Sequence, residues 1–296
     1  MPFVAPPALR PGDSVAIVAP SGPFDRESFE AGLALVKGRY RPVFTDEIFS
    51  QRRYLAGSDE RRAAELNLAF AAADIKAVFA ARGGYGAMRL LASLQLGAPR
   101  IFAGFSDATA LHGALQAHGV RSLHGPVLTQ LGNQPPGAVE RFFSLLESTV
   151  PPGPFQNGRT VVPGIAEGPL VGGNLSVLSR LIGTRFMPPT RGSVLLLEDV
   201  GERPYRLDRM WTHLTLAGAF DGLAGIVLGD FTGCEERNAD YGSGEVLIEL
   251  AQQTGLPCAG GFAVGHGPIN LPVPLGARVR LDATSGRLEF LEPLVS

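Results

Sequence analysis

Serine nucleophile chemistry needs a hydroxyl, a base, a group that orients the base, and amides that hold an oxyanion. This 296-residue chain offers a short set of candidates for each. The hydroxyl is Ser106 in "RIFAGFSDATALHGAL" (100–115), where an apolar strand pattern stops and a helical pattern begins. Two readings of it stand at this point. Ser106 and Asp107 make a good N-cap pair for the orphan amides of a helix start. Alternatively, a tight strand-to-helix turn presents the serine oxygen at a sheet edge beside the positive end of a helix.

Five histidines compete for the role of base. His112 lies on the helix that Ser106 would begin, about 9 Å along its axis, and His118 lies farther still. His213 falls inside an amphipathic helical pattern and reads as structural. His124, in "SLHGPV", reads as a polar residue before a Gly-Pro turn, with a place in the same cleft as its second reading. His266, in "GFAVGHGPINLPVPLG", is flanked by glycines in a segment without helical period. It is either a turn histidine or an imidazole held in place by a constrained loop. For the orienting acid, "VLLLED" runs four apolar residues into Glu198 and Asp199. That placement is the carboxyl end of a buried strand, where sheet-based sites form. Glu202 and Asp208 have arginines close by and read as surface partners.

The amides come from "ARGGYGAMRLL" (81–91), a glycine loop between a strand and a helical pattern. Its spacing is neither the dinucleotide fingerprint nor a phosphate loop with its lysine. Gly83 or Gly84, paired with the amide of Asp107, would make a two-donor oxyanion hole. Phosphate binding is the competing use of this loop. Arg82 leaves the same strand, either as a surface residue or as a grip for a substrate carboxylate.

The elements that position these residues alternate along the first half. Strand patterns at 14–20, 75–82 and 100–105 are interleaved with helical patterns at 25–38, 59–74, 86–94, 107–119 and 138–148. Such alternation implies a doubly wound parallel sheet covered on both faces. The expected organisation is a nucleophile domain at 1–148, a proline- and glycine-rich linker at 149–164, and a smaller α/β, β-rich and barrel-like domain at 165–296 carrying acid and base. In that second part, 193–199 and 223–231 read as buried strands and 205–220 as a helix containing Trp211. The end of the chain alternates in period two across a "TSG" turn, an antiparallel hairpin.

Composition narrows the function. Hydrophobic residues make up 45%, charged residues 18%, and the net charge is −2, so a large core is expected and a nucleic-acid surface is not. The two cysteines, Cys234 and Cys258, give neither a disulfide framework nor a Cys-x-x-Cys metal spacing. No apolar run approaches the ~18 residues of a membrane span, and no secretory pattern opens the sequence, so a cytoplasmic protein is expected.

Several segments together resemble one family, the L,D-carboxypeptidases, which are muramoyltetrapeptide carboxypeptidases among the serine peptidases. The segments are "VAPSGP", "YLAGSDERRAAELNLAF", "ARGGYGAMRLL", "GFSDATALH", "LHGPV", "GPLVGGNLSVLSRLIGT", "LLLEDVGERPYRLDRM", "GIVLGDFTGC" and "GHGPINLPVPLGARVRLD", in order over nearly the whole chain. The resemblance implies a triad of Ser106, Glu198 and His266, an oxyanion hole from the Gly83–Gly84 loop and the Asp107 amide, and no metal or organic cofactor. It implies hydrolysis of murein tetrapeptides with release of D-alanine in cell-wall recycling, and a homodimer. Ala108 replaces the second glycine of a G-x-S-x-G elbow, so the general α/β-hydrolase fold is not implied. Two alternatives remain: a relative that hydrolyses peptidyl-nucleotide antibiotics for self-immunity, and a non-catalytic anion-binding module. The first would use a stacking aromatic, and Trp211 reads instead as core.

Overall fold

The computed structural model describes residues 2–236 and 238–296. Strands β1 (Ser14–Val18), β2 (Arg41–Val43), β3 (Ile75–Ala80), β4 (Ile101–Gly104) and β5 (Ser122–His124) form a parallel sheet in the order β2-β1-β3-β4-β5. Five helices flank it: α1 (Arg26–Lys37), α2 (Asp59–Ala71), α3 (Thr109–Ala117), α4 (Leu128–Leu131) and α5 (Pro136–Glu147). The strands read as apolar throughout because both faces are covered. Val15 and Ile17 of β1 pack into one core with α1, α4 and α5, while Ala16 and Val18 pack into another with α2 and α3. The helices start where the side chains allow it. Asp25 accepts from the Ser28 amide at 2.8 Å before α1, Ser58 accepts from the Arg61 amide at 3.2 Å before α2, and Pro136 opens α5.

A second sheet is built from β6 (Arg159–Val162), β7 (Ile165–Asn174), β8 (Val194–Val200), β9 (Gly225–Thr232) and β10 (Cys258–Gly260), with a C-terminal hairpin. Next in the chain, β11 (Val273–Leu275) leaves this sheet and pairs antiparallel with β5, extending the first. The hairpin strands β12 (Arg278–Asp282) and β13 (Arg287–Phe290) return, giving the order β13-β12-β7-β8-β9-β10-β6. Of these, β7 to β10 run parallel. Helices α6 (Leu175–Leu181), α7 (Pro204–Leu216) and α8 (Ser243–Thr254) pack on one face. The sheet curls into a half-barrel around Leu170, Val194, Leu196, Val227, Val279 and Leu281. The fold is therefore α/β, with the doubly wound sheet and the barrel-like second sheet expected from sequence, the second having seven strands to the first's six.

Several local readings change. The stretch 149–164 carries β6, which pairs antiparallel with β10, and Phe155 bridges to Leu288. The helical pattern at 86–94 is a tight 3-10 segment, Ala87–Ser93, entered through Gly86 at φ 129°. Its first amide is bonded not within the helix but to the distant Asp107 carboxylate, at 2.8 Å. Trp211 is buried in α7 against Phe220, with ring centroids 5.1 Å apart.

Candidate active site

The site lies at the carboxyl ends of parallel strands, where α/β sheets leave crevices. Past β4 the chain passes through Phe105 and places Ser106 at φ 62°, a left-handed conformation costly for a residue with a Cβ. The turn is fixed from behind. The Asp107 carboxylate accepts from Ser21 Oγ at 2.6 Å and from the Ala87 amide at 2.8 Å, tying the elbow to the loops after β1 and β3. Burial pushes the Asp107 carboxyl up, opposed by those same hydrogen bonds. Neither Ser106 nor Asp107 makes a side-chain cap to its own helix, so the capping reading does not hold. Glycine is required beside the elbow, because a Cβ on Gly83 would sit 2.9 Å from Ser106 Cβ and 3.0 Å from its Oγ.

His266 reaches this serine from the other half of the chain. Its Nε2 lies 3.1 Å from Ser106 Oγ and its Nδ1 lies 2.6 Å from Glu198 Oε2. With Glu198 ionised, Nδ1–H donates to the carboxylate and Nε2 is free to accept from the hydroxyl. The loop that carries His266 is pinned to both halves. The Gly265 amide donates to Asn270 Oδ1 at 3.0 Å, and the Asn270 amide donates to Gln134 Oε1, before α5, at 2.8 Å. Gly265 has φ 116°, and a Cβ there would meet Glu198 Oε2 at 2.5 Å. The imidazole also rests on Phe105, 4.6 Å between centroids.

Glu198 projects from the end of β8 and is fully buried. Burial raises its carboxyl, but the imidazoles of His124 and His266 facing it more than offset this and hold it down to about 2. Its neighbour Asp199 alternates to the opposite side of the strand. There it accepts from Asn174 Nδ2 at 3.1 Å and from the Ser176 amide at 2.8 Å, anchoring the start of α6. The two acids of "LLLED" thus divide into one that faces the His266 ring and one that anchors α6.

The other histidines separate as clearly. His112 is buried, with Nδ1 2.8 Å from Ser122 Oγ and Nε2 2.8 Å from the Gly104 carbonyl, so it ties α3 to β5 and β4. His118 and His213 are exposed. His124 departs from its turn reading: it ends β5, is fully buried, and has Nε2 3.9 Å from Glu198 Oε1. A cleft of about 260 Å³ opens in front of Ser106, lined by Arg82, Gly83, Gly84, Phe105, Val127, Thr129, Gln130 and His266. Arg82 is exposed at its rim and donates to the Pro23 carbonyl. Ser21, Ala87, Asn270 and Gln134 support the site without having been singled out from sequence. Their signal is chiefly spatial: Ser21, Ala87 and Gln134 act across twenty or more residues of chain, and Asn270 joins a contact to Gly265 five residues away with one to Gln134.

Comparison with known proteins fits this arrangement. Residues 15–125 match the LD-carboxypeptidase N-terminal domain and residues 167–281 its C-terminal domain. A probable murein peptide carboxypeptidase of Bacillus subtilis is 35% identical over 98% of this chain and 95% of its own. A murein tetrapeptide carboxypeptidase of Pseudomonas aeruginosa is 33% identical over 90% of this chain and 92% of its own. The crystal structure of a muramoyltetrapeptide carboxypeptidase from Oxalobacter formigenes superposes with a TM-score of 0.83 at 29% identity, covering 93% of this chain and 97% of that one. A microcin C7 self immunity protein shares the fold, with a TM-score of 0.89 at 24% identity over 99% of this chain and 100% of its own. Matches to both domain models in order, with relatives 33% and 35% identical over nine-tenths or more of both chains, establish that this chain belongs to the LD-carboxypeptidase family of peptidases.

Proposed function

We propose that the chain is a serine-type carboxypeptidase that cleaves the L,D-amide bond of murein tetrapeptides and releases D-alanine, in the recycling of cell-wall peptides. The observation that carries this reading is the continuous Ser106–His266–Glu198 chain, with contacts of 3.1 and 2.6 Å, at the floor of an open cleft. In this mechanism Ser106 Oγ attacks the carbonyl carbon of the amide while His266 Nε2 takes its proton. Glu198 holds the ring and balances the imidazolium charge. The amides of Asp107 and the Gly83–Gly84 loop receive the oxyanion, each such donor contributing roughly 2.7–4 kcal/mol to the barrier reduction. His266 then protonates the leaving nitrogen, the C–N bond breaks, and free D-alanine departs. Water, deprotonated by the same imidazole, resolves the acyl-enzyme.

The test is release of D-alanine from a purified murein tetrapeptide by wild type, Ser106→Ala and His266→Ala, each checked for folding by circular dichroism. Release by wild type and its loss in both variants is the expected outcome. Undiminished release by Ser106→Ala would overturn the nucleophile, and no release by folded wild type would overturn the substrate.

A further inference from the structure

Glu198 carries an unpaired oxygen inside the protein. Oε2 is taken by His266, but Oε1 has no hydrogen-bond partner among the described residues, and Glu198 is wholly inaccessible to solvent. Leaving a buried carboxylate oxygen unmatched is costly, so such a group requires an explanation. The polar side chain facing it is His124, which has the complementary defect: it is also fully buried, and among the described residues neither of its ring nitrogens has a hydrogen-bond partner. The two defects face each other, with His124 Nε2 3.9 Å from Glu198 Oε1.

We propose that His124 is a positioning residue of the triad, donating its Nε2–H to Glu198 Oε1 so that the other carboxylate oxygen stays aimed at His266. This rests on the triad reading above and extends it to a four-membered chain, Ser106–His266–Glu198–His124. An N–H···O bond near 2.9 Å requires the pair to close by only about 1 Å. The ring is packed against bare backbone on its other side: a Cβ on Gly173 would lie 3.4 Å from His124 Cδ2 and 2.8 Å from Thr109 Oγ1. The backbone does not need to move, since His124 is registered against Gly104 of β4 and Val273 of β11. The Nε2–H tautomer is the one the proposal requires.

The arrangement has a chemical consequence. A carboxylate bonded through one oxygen can rotate about its terminal torsion; bonded through both, it presents a fixed acceptor to His266 Nδ1–H. The titratable groups around Glu198 are His266 on its loop, His124 on β5, Asp199 on β8 and Asp230 at the end of β9, with His112 of α3 behind His124 at 6.1 Å between rings. Of these, only His124 and His266 place a nitrogen toward the carboxylate. Without a donor on Oε1, Glu198 becomes more basic, and the coupled Glu198–His266 pair holds its proton to higher pH.

The experiment compares His124→Leu, His124→Gln and His124→Asn with wild type and Ser106→Ala in the murein tetrapeptide assay. It measures kcat, KM, the pH profile of kcat/KM and the melting temperature. His124→Leu fills the space without a donor, and His124→Gln carries an amide N–H with about the reach of Nε2. His124→Asn is too short. The expected result for Leu and Asn is a fall in kcat of about 10- to 100-fold, the range seen when an outer partner of a site residue is lost. KM should be little changed and the acid limb of kcat/KM displaced to higher pH, with Gln recovering part of both losses. A folded Leu variant with wild-type kcat and acid limb overturns the proposal. If the Leu variant does not fold, a Gln variant no better than Asn overturns it. Failure of the triad itself would read differently, as retained activity in Ser106→Ala.

Discussion

At the scale of single residues, the site depends on where charge is held. Glu198 is ionised because two imidazoles face it in a place that otherwise disfavours charge. Glu198→Gln keeps the shape but presents an amide that cannot hold His266 in the required tautomer. We expect kcat for D-alanine release to fall about ten-thousandfold, with melting temperature and KM near wild type. A loss of less than tenfold would remove Glu198 from the mechanism. Gly83→Ala tests the opposite kind of constraint, steric rather than electrostatic. Its new Cβ meets the Ser106 side chain within 3.0 Å, so activity should be lost while circular dichroism still reports a folded protein. Wild-type turnover in that variant would show that the loop can retreat from the serine.

At the scale of elements, α3 is fastened to the sheet that delivers Ser106 and His124. His112 makes the fastening through Ser122 and the Gly104 carbonyl, and burial, with the adjacent His124, lowers its pKa from 6.5 to about 3. The folded protein therefore refuses a proton that the unfolded chain accepts, so stability is intact above about 6.5 and declines as pH falls toward 3. The slope from this one group is about 1.4 kcal/mol per pH unit. Denaturant midpoints measured from pH 7 to 4 should fall along that slope, and His112→Gln should flatten it while lowering stability at pH 7. An unchanged slope in the variant would place the acid sensitivity elsewhere. The same element explains why the capping reading of "FSDA" was attractive: serine and aspartate before a helical run are ordinary N-cap residues. Only the fold shows that Asp107 bonds to Ser21 and Ala87 instead of its own helix.

At the scale of the molecule, the two halves are interleaved. Strand β11 belongs by sequence to the second half and by pairing to the first sheet. The C-terminal residues return likewise: Leu294 and Val295 are buried among Phe142, Phe143 and Leu146, and Arg121 donates to the Pro293 carbonyl at 2.7 Å. Removing residues 292–296 takes away the two buried apolar side chains of Leu294 and Val295, each contributing about 1.5–3 kcal/mol. We expect that truncation to lower the melting temperature markedly, and the intact chain to unfold in a single calorimetric transition. Two resolved transitions would mean the halves are thermodynamically separate.

What the sequence determined by itself was chiefly local and periodic. Apolar runs and helical periods revealed the α/β architecture of the first half and the closing hairpin. Local settings shortlisted Ser106, the adjacent acids Glu198 and Asp199, and His266, each with an ordinary structural reading beside it, and the family resemblance carried the choice of Ser106, Glu198 and His266. Tertiary structure decided what pairwise distance decides. It separated Glu198 from Asp199 by strand alternation, and brought His124 from its expected turn to a buried place beside Glu198. It also set β6 within a proline-rich stretch and β11 across the two sheets. Strands of three or four residues carry too little periodicity to be read alone, and a buried histidine looks the same in sequence as a surface one. Their partners lie tens to more than a hundred residues away, and the energy that places them belongs to the contact, not to either segment.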